Sequence, residues 1–358
     1  MEKKKTGNSK KIKRIVALIA VLSGLSSGTI LAAKEIYDSC FVRYEKKELY
    51  TIYGEFDYSR VANNLERKTF NFFSGKYKLQ GYYYPATNSK GVVVVSHGMH
   101  SGADDYLPII SYLVKNDYSV FAYDCKGTYN SEGDSTVGMI TPLVDLDHAL
   151  TFIENDFYLS KQPIFLLGHS WGGYAVTSVL SLHKNVKACA AIAPFNSGYT
   201  LIYEKGEQYV GPLAGGIPKV FLDAYQKILF KNYTKYNAVK GINSTDIPVL
   251  IAHGDRDKVI GFNEQSVISH KNEIRKDNVY YYVGKDEHSG HNTIMHSKRA
   301  VKYQEEVKNR LVKLKEQHGK KPSEEVLKEF CNSIDHSLYS EVNEELMCQI
   351  IDMFNKSI

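Results

Sequence analysis

From Val92 onward the chain alternates short apolar, β-branched runs with longer stretches of helical spacing. Residues 92–95 are four consecutive valines, the pattern of a strand covered on both faces rather than one wetted on one side. A helical pattern follows over 105–115, then strand 118–123, helix 142–155, strand 164–167, helix 174–183 and strand 186–192. This repetition predicts the α/β class, with a mostly parallel central sheet and helices on both faces. Two later apolar runs, starting at Ile247 and at Val279, extend it. Ahead of the valines, Phe70, Phe72 and Phe73 stand on one side of Gly75-Lys76 and Tyr77 and Tyr82 to Tyr84 on the other. Aromatic runs about a two-residue turn predict an antiparallel hairpin at the sheet edge. No internal repeat is visible.

Two stretches do not fit the alternation. About fifty residues, roughly 196–246, separate the strand ending near Pro194 from the next, far more than an ordinary connection. Their Tyr199, Ile202, Leu213, Phe221 and Phe230 make them too apolar for a solvated loop, and Gly211 to Pro218 interrupts any helix. They read as a helical insertion, either capping the sheet or packed on its edge. Near the C-terminus, 299–317 is a charged helix, Gly319 and Pro322 break it, and Ser323 caps another. The last segment, 341–354, spaces Leu346, Ile350, Ile351 and Phe354 to lie against the sheet.

Charge changes the picture at the N-terminus. The chain has 358 residues and a formal charge of +5, but residues 1–14 carry seven Lys/Arg against Glu2. The remaining 38 basic and 39 acidic residues nearly cancel, so a nucleic-acid surface is not supported. Residues 15–33 follow without a charge. Nineteen helical residues reach about 28 Å, enough to span a hydrocarbon core. The expected organisation is a basic tail (1–14), a transmembrane anchor (15–33), a juxtamembrane segment (34–67) and a folded α/β domain (68–358). Flanking positive charge would keep the tail inside and place the domain outside the cytoplasm. The alternative is a signal peptide cut after Gly28, with Ser26 at minus three, giving a secreted protein. Five cysteines show no C-x-x-C pair or metal-ligand spacing. Cys189 reads as a core residue, and Cys40 is a candidate to pair with Cys331 or Cys348.

The candidate chemistry lies at Gly168-His169-Ser170-Trp171-Gly172. G-x-S-x-G between a strand and a helix puts the serine on a sharp turn, its hydroxyl clear of neighbours and facing the positive end of the helix. The glycines allow strand and helix to cross closely. The valine strand opens into His97-Gly98-Met99, and the strand ending at Tyr123 into the loop from Asp124 to Gly133, which either braces the site or is a plain turn network.

H-G-M, then D-x-K-G-x-x-x-S-x-G, then G-H-S-W-G-G, each after its strand, resemble the α/β-hydrolase superfamily. The pattern is most similar to its serine aminopeptidase-like and monoacylglycerol-lipase-like groups, including bacterial members tethered by an N-terminal helix. The resemblance covers about 68–355, with Lys126 where the family often has Arg. It implies a triad in the order Ser, acid, His. Ser170 matches the nucleophile. His253-Gly254-Asp255-Arg256-Asp257 matches the acid stretch, with Asp257 at the acid and Asp255 competing. His291 matches the base, with His288 as competitor. The oxyanion hole falls to the amides of Met99 and Trp171, and the insertion becomes a cap forming a largely apolar acyl pocket. No metal or other cofactor is implied. The expected function is a membrane-anchored serine hydrolase cleaving carboxylic esters, lipid acyl bonds included, through an acyl-serine intermediate. Second is a serine aminopeptidase or amidase acting on peptides, for which only Glu204, Glu207 and Asp223 are scattered through the cap as partners for a substrate amine. Third is a non-catalytic binding protein on the same fold. The expected partners are thus a small-molecule or lipid ester, or a peptide, and the membrane.

Overall fold

The computed structural model describes residues 37–46, 65–204 and 219–358, with positions 28, 31, 34, 35 and 58. The expected tail, and the anchor at 15–33 apart from positions 28 and 31, lie outside the described residues. Among the described residues no helix is long and apolar enough to cross a membrane.

Eight strands form one sheet in the order β1-β2-β4-β3-β5-β6-β7-β8. β1 (Lys68–Ser74) and β2 (Tyr77–Tyr84) are the expected edge hairpin, turning at Gly75 with φ +59°. β2 also runs antiparallel to β4 (Ser119–Tyr123). Every other pairing is parallel, through β3 (Val92–Ser96), β5 (Ile164–His169), β6 (Val186–Ile192), β7 (Val249–Gly254) and β8 (Val279–Gly284). The chain leaves β3 toward β4 on one side and returns to β5 on the other. The carboxyl ends of β3 and β5 therefore flank the point where strand order reverses, where sheets of this kind leave a crevice.

The valine run shows why the sheet is covered twice. Val92 and Val94 point into one core with Leu166, Ala191 and Ile251, while Val93 and Val95 point into the other with Leu167, Ala190 and Leu250. The first face is covered by α2 (Thr141–Asn155) and α3 (Trp171–Ser178), the second by α1 (Leu107–Lys115) and the last helix. α3 begins at Trp171, three residues earlier than the apolar spacing predicts, because its first turn is the glycine-rich end of the motif.

The insertion contributes α4 (Gly198–Glu204), α5 (Lys219–Phe230) and α6 (Ala238–Asn243). α6 lies so close to α3 that a Cβ on Gly241 would fall 1.9 Å from the Thr177 carbonyl oxygen. Leu201, Leu222 and Tyr225 join the first core beside Tyr37 and Phe41. Much of the described insertion therefore packs on the body of the fold.

The segment 37–46, assigned from sequence to the stretch beside the membrane, is stitched to the loop after β4. The Arg43 guanidinium donates to the carbonyls of Tyr129, Ser131 and Gly133, Tyr44 N–H donates to Gly127 O and Tyr129 N–H to Tyr44 O.

Beyond β8 lie α7 (Lys298–His318), α8 (Glu324–Asn332), α9 (His336–Tyr339) and α10 (Glu344–Asn355). α10 meets the sheet as expected, Phe354 packing 4.8 Å from the Phe165 ring centroid. Helices α7 to α9 form an excursion that closes on itself: Ser297 N–H donates to Glu341 O and Asn343 N–H to Met295 O. Val307, Phe330, Cys331 and Ile334 give it a small core of its own. None of the five cysteines is in a disulfide and Cys331 is buried in that core, so the expected pairing of Cys40 does not form. Cys189 is a core residue.

The loop after β4 hangs on one buried carboxylate. Asp124 accepts from Ala103 N–H, Tyr82 OH and Asn130 N–H. Burial nevertheless pushes its pKa up to about 6 from an ordinary 3.8. Between pH 4 and 6 the folded protein thus holds a proton that the unfolded chain has released, and stability falls as pH rises through this window. The expected loss is about 3 kcal/mol. Urea unfolding of the parent and Asp124→Asn at pH 4.5 and 7 checks it: the difference should move in the variant's favour by up to that amount at the higher pH.

Candidate active site

Ser170 stands between β5 and α3 with φ 56° and ψ −112°, a conformation that L-residues adopt only when their surroundings enforce it. The enforcement is steric. A Cβ on Gly172 would sit 1.9 Å from the Ser96 carbonyl oxygen, and one on Gly168 would sit 2.3 Å from that of Gly172. Only glycines let the helix start so close to the ends of two strands, and Ser170 N–H is held by Ile192 O at 2.8 Å.

Residues far apart in sequence meet over this turn. His291 Nε2 accepts from the Ser170 hydroxyl at 2.8 Å, and His291 Nδ1–H donates to Asp257 Oδ2 at 2.7 Å. Asp257 follows β7 and His291 follows β8. The Asp257 carboxylate has no exposed surface and is fully engaged. Its Oδ1 accepts the amides of Val259 and Ile260, and its Oδ2 also lies 3.2 Å from His253 Nε2. Burial alone would raise its pKa, but hydrogen bonds from His253 and His291 outweigh burial and hold it well below the usual carboxylate range. The alternatives diverge: Asp255 lies two residues off this network, with its amide on Gly284 O, and His288 faces Tyr282 and Asn343.

Trp171 opens α3, so its amide has no intrahelical acceptor. No acceptor for the Met99 amide appears among the described residues. Both residues line one cavity of about 470 Å³ with Ser170 and His291. The described part of the insertion lines none of it. Its described walls are the loop after β3, Met139, Phe195, Val259 and residues near His291, together with Gln304 and Tyr339 of the C-terminal excursion. The expected acyl pocket under the cap is not found among the described residues, because the described cap helices bury their apolar sides in the first core instead.

Sequence reasoning gave no role to three residues that stitch the site together. Tyr106 OH accepts from Gly98 N–H at 2.9 Å and donates to His169 Nδ1 at 2.8 Å, and His169 Nε2–H donates to His291 O at 3.1 Å. One relay thus ties the Met99 loop to the backbone of the histidine. Burial, reinforced by neighbouring His291, pushes the His169 pKa down to about 3, which keeps the ring neutral and this donor pattern fixed. His253, the third, backs Asp257 from β7. His169 and His253 sit inside the quoted motifs, so position was their signal; Tyr106 carries none.

A family model described as Serine aminopeptidase, S33, matches residues 87–237. An esterase of Pyrococcus furiosus superposes with a TM-score of 0.52 at 22% identity, over 77% of this chain and 98% of that one. The chain has the α/β-hydrolase fold. Protein YfhR of Escherichia coli is 23% identical over 193 residues, 51% of this chain and 60% of its own length. The monoglyceride lipase of Rattus norvegicus is 33% identical over 101 residues, 28% of this chain and 33% of its own. The chain thus spans less than two thirds of the length of both of these relatives.

Because the buried Gly98 amide depends on Tyr106, Tyr106→Phe should cost about 1–3 kcal/mol of stability through the lost acceptor, read from the chemical denaturation midpoint.

Proposed function

We propose that this chain is a serine hydrolase that cleaves carboxylic esters through an acyl-serine intermediate. The observation that carries this reading is the continuous hydrogen-bond path from Ser170 Oγ through His291 to Asp257, beneath two candidate oxyanion donors. A serine hydroxyl is a weak nucleophile at neutral pH, and an imidazole aligned by a carboxylate removes that obstacle. Ser170 Oγ attacks the acyl carbon while His291 takes its proton. Charge gathers on the carbonyl oxygen, facing the Met99 and Trp171 amides. His291 then protonates the departing alkoxide as the C–O bond breaks. Water repeats the sequence and releases the acid. Each oxyanion donor contributes about 3 kcal/mol to such a transition state.

A matched family model named for aminopeptidases supports a second reading, hydrolysis of peptides from the amino end. That chemistry wants a carboxylate for the substrate amine. Asp105 is the sole acidic residue lining the cavity among the described residues, and its Oδ2 already accepts from Gly102 N–H and Tyr129 OH. Esters, which need no such partner, are favoured. The charge-free run at 15–33 beside a basic tail supports a membrane tether for the enzyme, and fractionation of cells producing the full chain tests it: recovery in a carbonate-washed membrane pellet is the expected outcome, and a wholly soluble protein would refute it.

Ser170→Ala is expected to abolish labelling by a fluorophosphonate while shifting the unfolding midpoint little; undiminished labelling would refute the nucleophile. Asp257→Asn should lower kcat on a short-chain ester by three to four orders of magnitude, roughly the scale set by losing the aligning carboxylate.

A further inference from the structure

A second cavity is larger than the one at Ser170. A groove of about 900 Å³ runs through the C-terminal excursion, between α7 and the chain from Lys320 to Tyr339. Its lining is mainly apolar, from Val301, Leu311, Val312, Leu327 and Phe330. Val312 is half exposed although no polar function requires a valine there. Gln304 and Tyr339 line both this groove and the Ser170 cavity. Gln304 Nε2–H donates to Tyr339 O at 2.7 Å, so the two walls are joined where the cavities adjoin. From Gln304 to Lys315, α7 borders the groove over about 16 Å. Glu305 lines it too, as do Lys308, Lys315, Lys320 and Lys321, which form no ion pair among the described residues. Their methylene stems can extend the apolar lining while the ammonium groups stay in water.

An apolar trough that shares two wall residues with the cavity of the reacting serine calls for an apolar extension of the substrate. We infer that the groove of the C-terminal excursion is the acyl-chain site, taking a long acyl chain whose ester carbonyl lies at Ser170. This rests on the assignment of Ser170 as nucleophile. The substrate class is then long-chain acyl esters, selected by the excursion after the histidine and not by the insertion before β7. Since the ends of the excursion are pinned together at Ser297 and Glu341, its position relative to His291 is fixed by backbone hydrogen bonds.

The test uses the full chain and 4-nitrophenyl esters from acetate to dodecanoate. The parent should show a kcat/KM at least tenfold higher for dodecanoate than for acetate. Val312→Trp and Leu327→Trp, which fill the groove, should each lower that ratio tenfold or more. A parent without chain-length preference, or a ratio unchanged in both variants, would overturn the inference. A readout independent of catalysis is displacement of a fluorescent fatty acid by dodecanoate from Ser170→Ala protein. Binding should be saturable and at least tenfold weaker when Val312→Trp is added. Absent or unaltered binding would overturn the acyl-chain site even if Ser170 proves to be the nucleophile, whereas normal binding by a protein inert to every ester and to fluorophosphonate would sink the hydrolase reading alone. A dimer that dissociates on Val312→Trp, with the ratio unchanged, would give the groove to a second copy of the chain and likewise overturn it.

Discussion

The contact on which the rest depends is the near collision of the first turn of α3 with the ends of β3 and β5. With no Cβ on Gly168 or Gly172, the backbone of Gly172 can lie against the Ser96 carbonyl. That approach leaves Ser170 no relaxed conformation, and its positive φ is the result. The strain is held by parts of the fold that gain nothing locally from it: the bond from Ser170 N–H to Ile192 O, the tight seat of α6 on α3, and a sheet packed on both faces. For the proposed nucleophile, a hydroxyl presented in this way needs no reorganisation before attack, because folding has already met that cost.

Much of this was legible in the chain, and the reasons are specific. The valine run at 92–95 announced a doubly covered strand because each of its residues has a core to enter. The aromatic hairpin at 68–84 was readable from a glycine where φ must be positive. Ser170, Asp257 and His291 stood in short motifs tied to strand ends, and strand ends are what an alternating pattern locates best. What stayed hidden depends on which surfaces meet. Tyr106 looks like any tyrosine beside a helix start, yet its hydroxyl is placed by the close approach of Gly98 and His169. The insertion before β7 looked apolar enough to shelter a substrate, but its described side chains cover Tyr37 and Phe41 instead. Apolar composition records that a segment is buried, not what it is buried against.

The C-terminal excursion makes the same point from the other side. By sequence α7 is a charged helix of no particular interest, with a mean polarity that suits a solvated surface. Its few apolar positions matter because α8 and α9 fold back along it, giving Val307, Phe330 and Ile334 a shared interior while leaving Val312 uncovered. This short helical array serves at once as a small core and as lining for the groove and the Ser170 cavity.

The strap formed by residues 37–46 has a mechanical implication. Tyr44 bridges to Thr128 in parallel, and its ring lies 4.3 Å from that of His100, the neighbour of Met99. Arg43 and Tyr44 therefore connect the strap directly to the loop after β4 and to His100 in the wall of the Ser170 cavity. The docked strap thereby buttresses the loop that forms one wall of the Ser170 cavity.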